Sequence, residues 1–489
     1  MSKKTIIIIL ILMPIISIFT VVSVKTLISP HNQISNVPQT IEITLDPNQA
    51  AQRLSKSINY QTVSYRSPVD FDYNQFIELH NYLKSAFPTV HEKLKVEKVN
   101  HYSLLYTWKG SESSLKPLLL TAHMDVVGVE KETLNKWRYA PFSGEIAEGK
   151  IWGRGARDNK CQMLAALEAV EYLLEKGMQP KRTIILAFGH DEEVLGVHGA
   201  RKIATILKSR KITPECVVDE GGAIVEKAVP GLHGKVALIA TVEKGFLTVE
   251  LSVNTKAVHS STPEKETSIG ILCKAISMLE ETKFPATLHE AEPMLRYASS
   301  EMKFPFNMIF SNLWLTGGIV KKMLLGNCQT AAMLRTTIAP TAIEGGYQDN
   351  VIPASAKALL NIRLLPQDSV NHVIFKIKGI IDDPRVQIKK VGFYNNAPLP
   401  SSAKTESFKM ICTSIKQIFP DAVCVPYFTT GGTDTKHYTK LTTNLYRFTP
   451  SIKENSEIGH GINERIPIEN YMQYIKFYVN LIHNFDNSR

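Results

Sequence analysis

Residues 183–193 read TIILAFGHDEE, an apolar run that ends in glycine, histidine and three acids. A continuous apolar run of this length is typical of a strand that is buried on both faces of a parallel sheet. The same pattern occurs at residues 117–125, PLLLTAHMD, and at residues 216–222, CVVDEGG. Because ligands of open α/β sheets gather outside the carboxyl ends of the strands, we predict an α/β fold that brings these polar clusters together.

A glycine-containing loop, GRGARD at residues 153–158, presents Asp158 just before a helical pattern. Leu164, Leu167 and Val170 recur at helical spacing after the loop, which indicates a helix with an apolar face. We therefore expect Asp158 at the same edge of the sheet as the other polar clusters.

These side chains suit two divalent ions. The predicted ligands are two imidazoles and three carboxylates: His123, Asp158, Glu193, Asp219 and His460. Zinc accepts this set of nitrogen and oxygen ligands, and Co²⁺ or Mn²⁺ are possible substitutes. Three carboxylates and one hydroxide balance the charge of two zinc ions. Two metals about 3.5–4 Å apart need a bridging carboxylate, and Asp158, on its own loop, is the natural candidate.

Two further acids fit supporting roles. Asp125 lies two residues from His123 and can take the spare imidazole proton, which orients the ring. Glu192 is adjacent to the predicted ligand Glu193 and is free to act as general base on metal-bound water, whose pKa zinc brings near ~7. A single histidine or acid pair has a simpler interpretation as a surface group, and only the set of motifs together favours catalysis.

At these motifs the chain resembles the dizinc metallopeptidases of family twenty, a group that contains carboxypeptidase S, glutamate carboxypeptidase, aminoacylase and N-fatty-acyl-amino-acid synthase/hydrolase. The matching stretches follow the family's order and are residues 121–126, 152–160, 189–200, 217–222, 431–434 and 459–464. The likeness is strongest to the carboxypeptidase S branch. The resemblance implies a cis peptide after the bridging aspartate, Asp158. It leaves either Asp219 or Glu220 as the ligand, and we prefer Asp219 because it directly ends the strand.

The resemblance also implies the substrate-binding residues. His259 would polarise the scissile carbonyl, while Asn350, Arg363 and the Gly431-Gly432 turn would hold the substrate's terminal carboxylate. Arginine suits this role because its planar fork matches a carboxylate in two hydrogen bonds. A charge on the surface of a strand is the simpler alternative for Arg363.

The chain divides into a split catalytic domain and an inserted domain. We expect the catalytic domain at residues 46–243 and 397–489, and an α+β, ferredoxin-like lid at residues 244–396. The lid contains an unusually apolar segment, residues 304–325, for which helical packing inside the lid is the simplest expectation. Sharper alternatives are a groove for a long acyl chain or a membrane contact. The resemblance makes a homodimer through the lid possible.

The N-terminal sequence is typical of a membrane-spanning segment. After Lys3 and Lys4, residues 5–24 carry no charge, and about 20 such residues suffice to cross a bilayer. We predict an anchor at residues 1–28 and a linker at residues 29–45, with an exported catalytic domain in a periplasmic, lumenal or extracellular space. A cleaved signal segment and a secreted enzyme are the alternative.

Composition agrees with a globular enzyme. The chain has 489 residues, and 56 Lys and Arg against 46 Asp and Glu give a net charge of +10. The basic residues are dispersed and accompany no nucleic-acid motif, so we exclude a nucleic-acid partner and expect attraction of carboxylate substrates or anionic lipids. Six scattered cysteines indicate mostly free thiols.

These features predict a zinc-dependent metallocarboxypeptidase or amidohydrolase that cleaves the amide bond next to a free carboxylate in peptides or N-acyl amino acids. An N-fatty-acyl amino acid synthase/hydrolase is the alternative within the same chemistry. A membrane-tethered binding protein that has lost catalysis is the alternative from another class, although such a protein would be expected to lack Glu192 or a ligand.

Overall fold

The computed structural model describes residues 3–65, 67, 70–226, 229, 231–452 and 459–488. The strands, in chain order, are β1 (Lys95–Val99), β2 (Ser103–Trp108), β3 (Leu118–His123), β4 (Ile146–Ala147), β5 (Lys150–Trp152), β6 (Ile184–Gly189), β7 (Cys216–Asp219), β8 (Ala223–Glu226), β9 (Lys235–Glu243), β10 (Gly245–Asn254), β11 (Val258–His259), β12 (Thr337–Gly345), β13 (Val351–Ile352), β14 (Ser355–Leu364), β15 (Val386–Asn395), β16 (Val423–Thr429), β17 (Leu445–Arg447) and β18 (Arg465–Pro467).

The α-helices alternate with these strands. In chain order they are α1 (Lys3–Leu27), α2 (Pro47–Ile58), α3 (Tyr73–Ala86), α4 (Pro88–Lys93), α5 (Lys160–Glu175), α6 (Ala200–Ser209), α7 (Ser268–Glu281), α8 (Glu292–Ala298), α9 (Phe306–Ser311), α10 (Leu313–Leu324), α11 (Cys328–Met333), α12 (Val370–Ile381), α13 (Glu406–Ile418), α14 (Thr435–Tyr438) and α15 (Ile468–Asn487). A short 3₁₀ turn, Glu192–Val194, follows β6.

The central sheet has the order β1-β2-β6-β3-β7-β17-β9-β16, with β8 paired to β9. At its centre β3 pairs in parallel with both β6 and β7, and further out β17 is parallel to β7 and β16 to β9. Every residue of β3, β6 and β7 is buried, as the continuous apolar runs predict. The parallel strands therefore deliver their C-terminal polar residues to one edge of the sheet, and the predicted α/β fold is confirmed.

Alternate residues of these strands pack against helices on opposite faces. Leu118 and Leu120 join the larger core, which includes side chains of α2, α5, α13 and α15. Leu119 and Ile185 join a second core with α6 and α14. Helices on both faces explain why these strands are apolar without alternation.

In the sequence, the strands of a second sheet fall between the strands β9 and β16 of the central sheet. Its four antiparallel strands have the order β12-β14-β10-β15, and α7 and α12 cover one face of it. Burial alternates along β14, as expected for a sheet with one covered face. This is the predicted α+β unit with its helix at Val370–Ile381. We propose residues 244 and 396 as its limits, since its strands run from Gly245 to Asn395.

The apolar segment 304–325 packs differently from the simplest expectation. Phe310, Leu313 and Val320 contact Val236 of β9 and Val425 of β16 in a separate core, rather than the core between the lid sheet and its helices. The segment therefore leaves the lid and covers the outer edge of the catalytic sheet, because β16 is an edge strand whose apolar side chains need a partner.

The N-terminal helix α1 is long and apolar enough to cross a membrane, a test that a signal sequence also passes. Its helix begins at Lys3, and residues 1 and 2 of the predicted anchor lie outside the described residues. The predicted linker, described throughout, has no helix or strand, yet Ile34, Ile41 and Ile43 pack against the larger core. All six cysteines lie among the described residues and are free, as predicted.

Candidate metal centre and active site

A first group of metal-binding side chains surrounds the end of β3. Nε2 of His123 lies 3.2 Å from Oδ1 of Asp158 and 3.2 Å from Oε1 of Glu220. The ligand atoms of these three residues are all within 4.8 Å of one another, as expected for side chains that hold a single ion. They come from β3, from the loop before α5 and from the residue after β7.

A second group shares Asp158 with the first. Nε2 of His460 lies 3.2 Å from Oδ2 of Asp158 and 3.1 Å from Glu193. One oxygen of Asp158 therefore faces each histidine, which is the arrangement required of a carboxylate that bridges two metals. The peptide bond Asp158–Asn159 is cis, as the family resemblance implies.

The predicted ligand Asp219 belongs to neither of these two groups of side chains, and its role as a ligand stays a prediction. Its buried carboxylate accepts hydrogen bonds from the backbone N–H of Glu220 (2.8 Å) and of Thr435 (3.2 Å). It is Glu220, one residue past the strand, that lies beside His123. Alternate side chains of a strand point in opposite directions, so only one of two neighbours can face the site, and the sequence does not reveal which one.

Asp125 organises the site through more contacts than expected. Nδ1 of His123 donates to the carbonyl oxygen of Asp125 at 2.9 Å, while the carboxylate of Asp125 is 3.4 Å away. This leaves Nε2 of the neutral imidazole free to bind a metal. The carboxylate itself accepts hydrogen bonds from Ser64 and from the backbone N–H of Glu192 and Glu193. Asp125 thus fixes both the histidine and the turn that carries the two glutamates.

Glu192, the predicted general base, lies beside a buried lysine. Nζ of Lys436 is 3.7 Å from Oε1 of Glu192, and the lysine side chain is only 6% exposed. Burial raises the pKa of Glu192, and Lys436 opposes that shift. A carboxylate with a raised pKa is a suitable proton acceptor and donor near neutral pH. Lys436 was missed from the sequence, because a lysine four residues after Gly432 carries no recognisable signal.

Glu464 joins the two halves of the metal site, and the sequence assigned it no role. One of its oxygens accepts hydrogen bonds from the backbone N–H of Gly155 (3.0 Å), Arg157 (3.0 Å) and Asp158 (3.1 Å). The other oxygen pairs with Arg154, whose guanidinium also donates to the carbonyl oxygen of His460. The loop that carries Asp158 is therefore held against the loop that carries His460. The only available signal was the position of Glu464 within the same motif as His460.

The electrostatics of the site fit bound cations. Burial raises the pKa of Glu193 and of Glu220 above the usual range for a carboxyl group. Hydrogen bonds to Asp158 and Glu193 raise the pKa of His460 to about 10. Two divalent ions would stabilise the ionised forms of Glu193 and Glu220 at this buried site.

Arg363 and the glycine turn lie next to this site. A Cβ at Gly432 would be 3.8 Å from Nη1 of Arg363, so the turn and the guanidinium are neighbours. The Arg363 guanidinium stacks over the ring of Phe246 at 4.9 Å. Burial lowers the pKa of Arg363, and Glu192 is near enough to oppose the shift. The predicted carboxylate-binding arginine is therefore a half-buried group close to Gly432 and within electrostatic range of Glu192.

The turn at residues 431–435 is braced by a buried ion pair that the sequence did not reveal. Nε of Arg447 donates to Glu243 at 3.0 Å and to Oγ1 of Thr435 at 2.7 Å. Glu243 also accepts a hydrogen bond from the backbone N–H of Thr433 at 3.1 Å. These contacts fix the glycine turn between β9 and β17.

His259 and Asn350 lie together but apart from this cluster. β11 pairs with β13 so that His259 opposes Val351, and the backbone N–H of Ser260 donates to the carbonyl oxygen of Asn350. Among the described residues the hydrogen bonds of His259 are to Ser261 and Thr262, both in the lid. The structure thus joins Arg363 and Gly432 to the catalytic residues and leaves His259 and Asn350 exposed in the lid.

Comparison with known proteins places this site in a family. The model of Peptidase family M20/M25/M40 matches residues 119–484. The chain is 41% identical to the probable carboxypeptidase S-like 2 of Dictyostelium discoideum, over 90% of this chain and 86% of that protein. It is 38% identical to the N-fatty-acyl-amino acid synthase/hydrolase PM20D1 of Mus musculus, over 89% of this chain and 87% of that protein.

Solved structures share the fold at lower identity. The M20 family metallo-carboxypeptidase Sso-CP2 from Sulfolobus solfataricus superposes with a TM-score of 0.67 at 21% identity, over 90% of this chain and all of that one. This likeness supports the fold alone, whereas the matched residues of the family model include every candidate metal ligand from His123 to His460. The predicted family is confirmed: the chain belongs to Peptidase family M20/M25/M40 and is an enzyme.

Proposed function

We propose that the chain is a zinc-dependent metallocarboxypeptidase or amidohydrolase that hydrolyses the amide bond next to a free carboxylate in peptides or N-acyl amino acids. The observation that carries this proposal is the position of Asp158, which faces both His123 and His460. Glu192 and Arg363 lie beside this double cluster, so a proton acceptor and a carboxylate-binding group accompany it.

His123, Asp158 and Glu220 would hold one zinc ion, and Asp158, Glu193 and His460 the other. When bound, the two ions would polarise the scissile carbonyl and lower the pKa of the attacking water. Asp125 and Glu464 contribute by fixing the ligand side chains before any metal binds, because both hold backbone N–H groups of the ligand loops.

Glu192 would take a proton from the attacking water and pass it to the leaving amine. Its raised pKa suits both steps, since a stronger base accepts the proton more readily near neutral pH. Lys436, 3.7 Å away, opposes this rise and favours the ionised form of Glu192. Arg363 would bind the free carboxylate of the substrate in two hydrogen bonds, which explains the preference for substrates with that group.

A release assay on dipeptides and N-acyl amino acids, with and without chelator, tests the reaction. Glu192→Gln should reduce kcat by about 10²–10⁴-fold, the usual contribution of a general base, with unchanged zinc content. Glu92→Gln, at an exposed glutamate, is the matched control and should retain full activity. Hydrolysis that survives both chelation and Glu192→Gln would rule out this mechanism.

An N-fatty-acyl amino acid synthase/hydrolase is the second candidate. A cleft of about 1080 Å³ between the catalytic domain and the lid favours it. The cleft is lined by aromatic side chains, including Tyr73, Phe246 and Phe393, and it reaches Asp191 and Val194 on either side of the two glutamates. Rates on N-acyl amino acids of increasing chain length test this candidate, and equal or faster hydrolysis of short acyl groups would exclude it.

We further propose that α1 is a retained anchor and that the catalytic domain is exported. The uncharged length of α1 and the lysines before it support this topology. Alkaline extraction of membranes and protease accessibility test it, since a cleaved signal segment would leave a soluble, shorter chain. A homodimer through the lid stays a prediction that light scattering on the full chain tests.

A further inference from the structure

We propose that an apolar surface formed by α10 and by Phe304, just before α9, docks on the lipid bilayer, so that the catalytic domain rests on the membrane that α1 crosses. We call this the α10 surface. It consists of five large side chains that are 48–75% exposed: Phe304, Trp314, Leu315, Ile319 and Met323. The inference rests on the proposed insertion of α1, but not on the proposed catalytic reaction.

The α10 surface is a face of a helix and not a set of scattered residues. Leu315, Ile319 and Met323 are four residues apart and therefore lie in one row along α10. Leu313 and Val320, on the opposite side of the helix, are buried. The helix thus has a buried apolar face and an exposed apolar face. Leu315, Ile319 and Met323 on the exposed face are 48–75% exposed, and an exposed apolar patch usually marks a contact site.

The α10 surface is placed at the level where α1 would leave the bilayer. Val22 of α1 is buried against this region, and Nδ2 of Asn312 lies 3.3 Å from its carbonyl oxygen and 3.1 Å from Oγ1 of Thr26. The uncharged run of α1 ends at Val24. At a rise of about 1.5 Å per residue, these contacts lie within one helical turn of the end of the span.

Trp314 and Lys25 mark the same boundary. Nζ of Lys25 lies 5.2 Å from the centre of the Trp314 ring. Lys25 is the first charged residue after the uncharged run, and tryptophan is enriched where the acyl chains meet the headgroups. The pair therefore belongs at the membrane–water interface when α1 is inserted.

The charge of the segment favours lipid over a protein partner. Between Glu301 and Glu344 the sequence has no acidic residue, although Asp and Glu number 46 in the whole chain. The same stretch contains Lys303, Lys321, Lys322 and Arg335. Apolar side chains flanked only by basic ones match an interface with anionic headgroups, where lysine can extend its charge to the phosphates.

The linker holds the catalytic domain close to the membrane. The side-chain amide of Gln33 both donates to and accepts from the backbone of Cys424 on the edge strand β16 (2.8 and 2.9 Å). Oγ1 of Thr40 donates to the carbonyl oxygen of Gln417. The linker that follows α1 is thus hydrogen-bonded to the catalytic domain. The α10 surface therefore stays close to the bilayer when α1 is inserted.

Tryptophan quenching by brominated lipids tests the proposal in the full-length chain. The protein is reconstituted in vesicles of phosphatidylcholine with a minority of phosphatidylglycerol, brominated near the headgroup end of the acyl chains. Of the four tryptophans, Trp108 and Trp152 are buried and only Trp314 belongs to the α10 surface. We expect strong quenching that disappears in Trp314→Phe.

Ile319→Glu and Phe375→Glu form a matched pair, since both side chains are 75% exposed and Phe375 lies on α12 of the lid. Ile319→Glu should reduce quenching by roughly twofold or more, because a carboxylate is repelled from an anionic interface. Phe375→Glu should leave it unchanged. Melting temperature and hydrolysis of a soluble substrate verify folding of both variants. Two results would overturn the proposal: no quenching in the wild type, or equal quenching in Ile319→Glu; a loss of dimers together with equal quenching would assign the surface to a second copy of the chain.

Discussion

Glu464 offers the sharpest test of how the metal site is held together. Glu464 and Arg154 are each only 3% exposed as residues, and the Glu464 carboxylate accepts hydrogen bonds from three backbone N–H groups of the loop that carries Asp158. Glu464→Ala would leave a buried charge without its partner, at a cost of about 3–5 kcal/mol. At about 2–4 °C per kcal/mol, the melting temperature should fall by roughly 10 °C.

Glu464→Gln separates stability from metal binding. The amide keeps one oxygen for the backbone N–H groups but turns a second donor toward Arg154, so the loop should shift and not unfold. We expect zinc affinity to fall by about 10–100-fold, the usual effect of removing a group that orients metal ligands. Competition with a chromophoric chelator measures the affinity, and differential scanning calorimetry the melting temperature.

Glu97→Gln is the control for Glu464→Gln. Glu97 pairs with Arg210 on the surface at 2.7 Å, and such exposed pairs contribute about 0–1 kcal/mol. This variant should keep both zinc affinity and melting temperature. If Glu464→Gln bound zinc as tightly as the wild type and Glu464→Ala melted at the same temperature, the assigned bracing role would be refuted.

Three further predictions follow from the same structure. Burial lowers the pKa of His80 to about 4, so the folded state binds fewer protons than the unfolded state, in which the pKa is about 6.5. Stability should therefore fall as the pH drops from about 6.5 to 4, by up to about 1.4 kcal/mol per pH unit, and urea titrations of His80→Gln should lack this part of the slope. Gly196→Ala should destabilise the folded state by more than about 2 kcal/mol, because φ is +65° and the new Cβ would lie 2.1 Å from Asp434. Gly177→Ala is the control, since this glycine also has a positive φ but faces open space, and it should cost only about 1 kcal/mol. Equal melting temperatures of the two variants would contradict this prediction. Chelation should lower the melting temperature, because a ligand at 100 times its Kd stabilises the folded state by about 2.7 kcal/mol. Added zinc should restore the melting temperature. A melting temperature that does not change with chelator would contradict a contribution of metal to stability.

Local patterns predicted the strand ends well, because a continuous apolar run has only one stable environment in a soluble α/β protein. His123 and the acids after β6 lie where the runs at residues 117–125 and 183–193 indicate. The same reasoning left the choice between Asp219 and Glu220 open, because it depends on the direction of each side chain at the end of β7, and the preference for Asp219 stays a prediction. That direction is set by Thr435, which is 216 residues away and binds the carboxylate of Asp219.

Long-range partners explain the other differences. The apolar segment 304–325 was expected inside the lid, because its neighbours in sequence belong there. It instead shares a core with β9 and with β16, and the position of β16 at the edge is a property of the assembled sheet. The bracing roles of Glu464 and Arg447 could not be predicted for the same reason. The neighbouring sequence shows neither the charge of the residue with which each one pairs nor where that residue lies.

The sequence by itself determined the α/β fold and the family, since these depend on hydrophobic runs and on motifs that act over a few positions, whereas the assignment of metal ligands and catalytic residues stays a prediction. Only the tertiary structure decided that Glu220 faces His123, that Glu464 ties the Asp158 loop to the His460 loop, and that His259 lies apart in the lid. The physical reason is that hydrogen bonds and ion pairs between distant segments depend on orientation and distance, which exist only after the hydrophobic cores have brought the segments together.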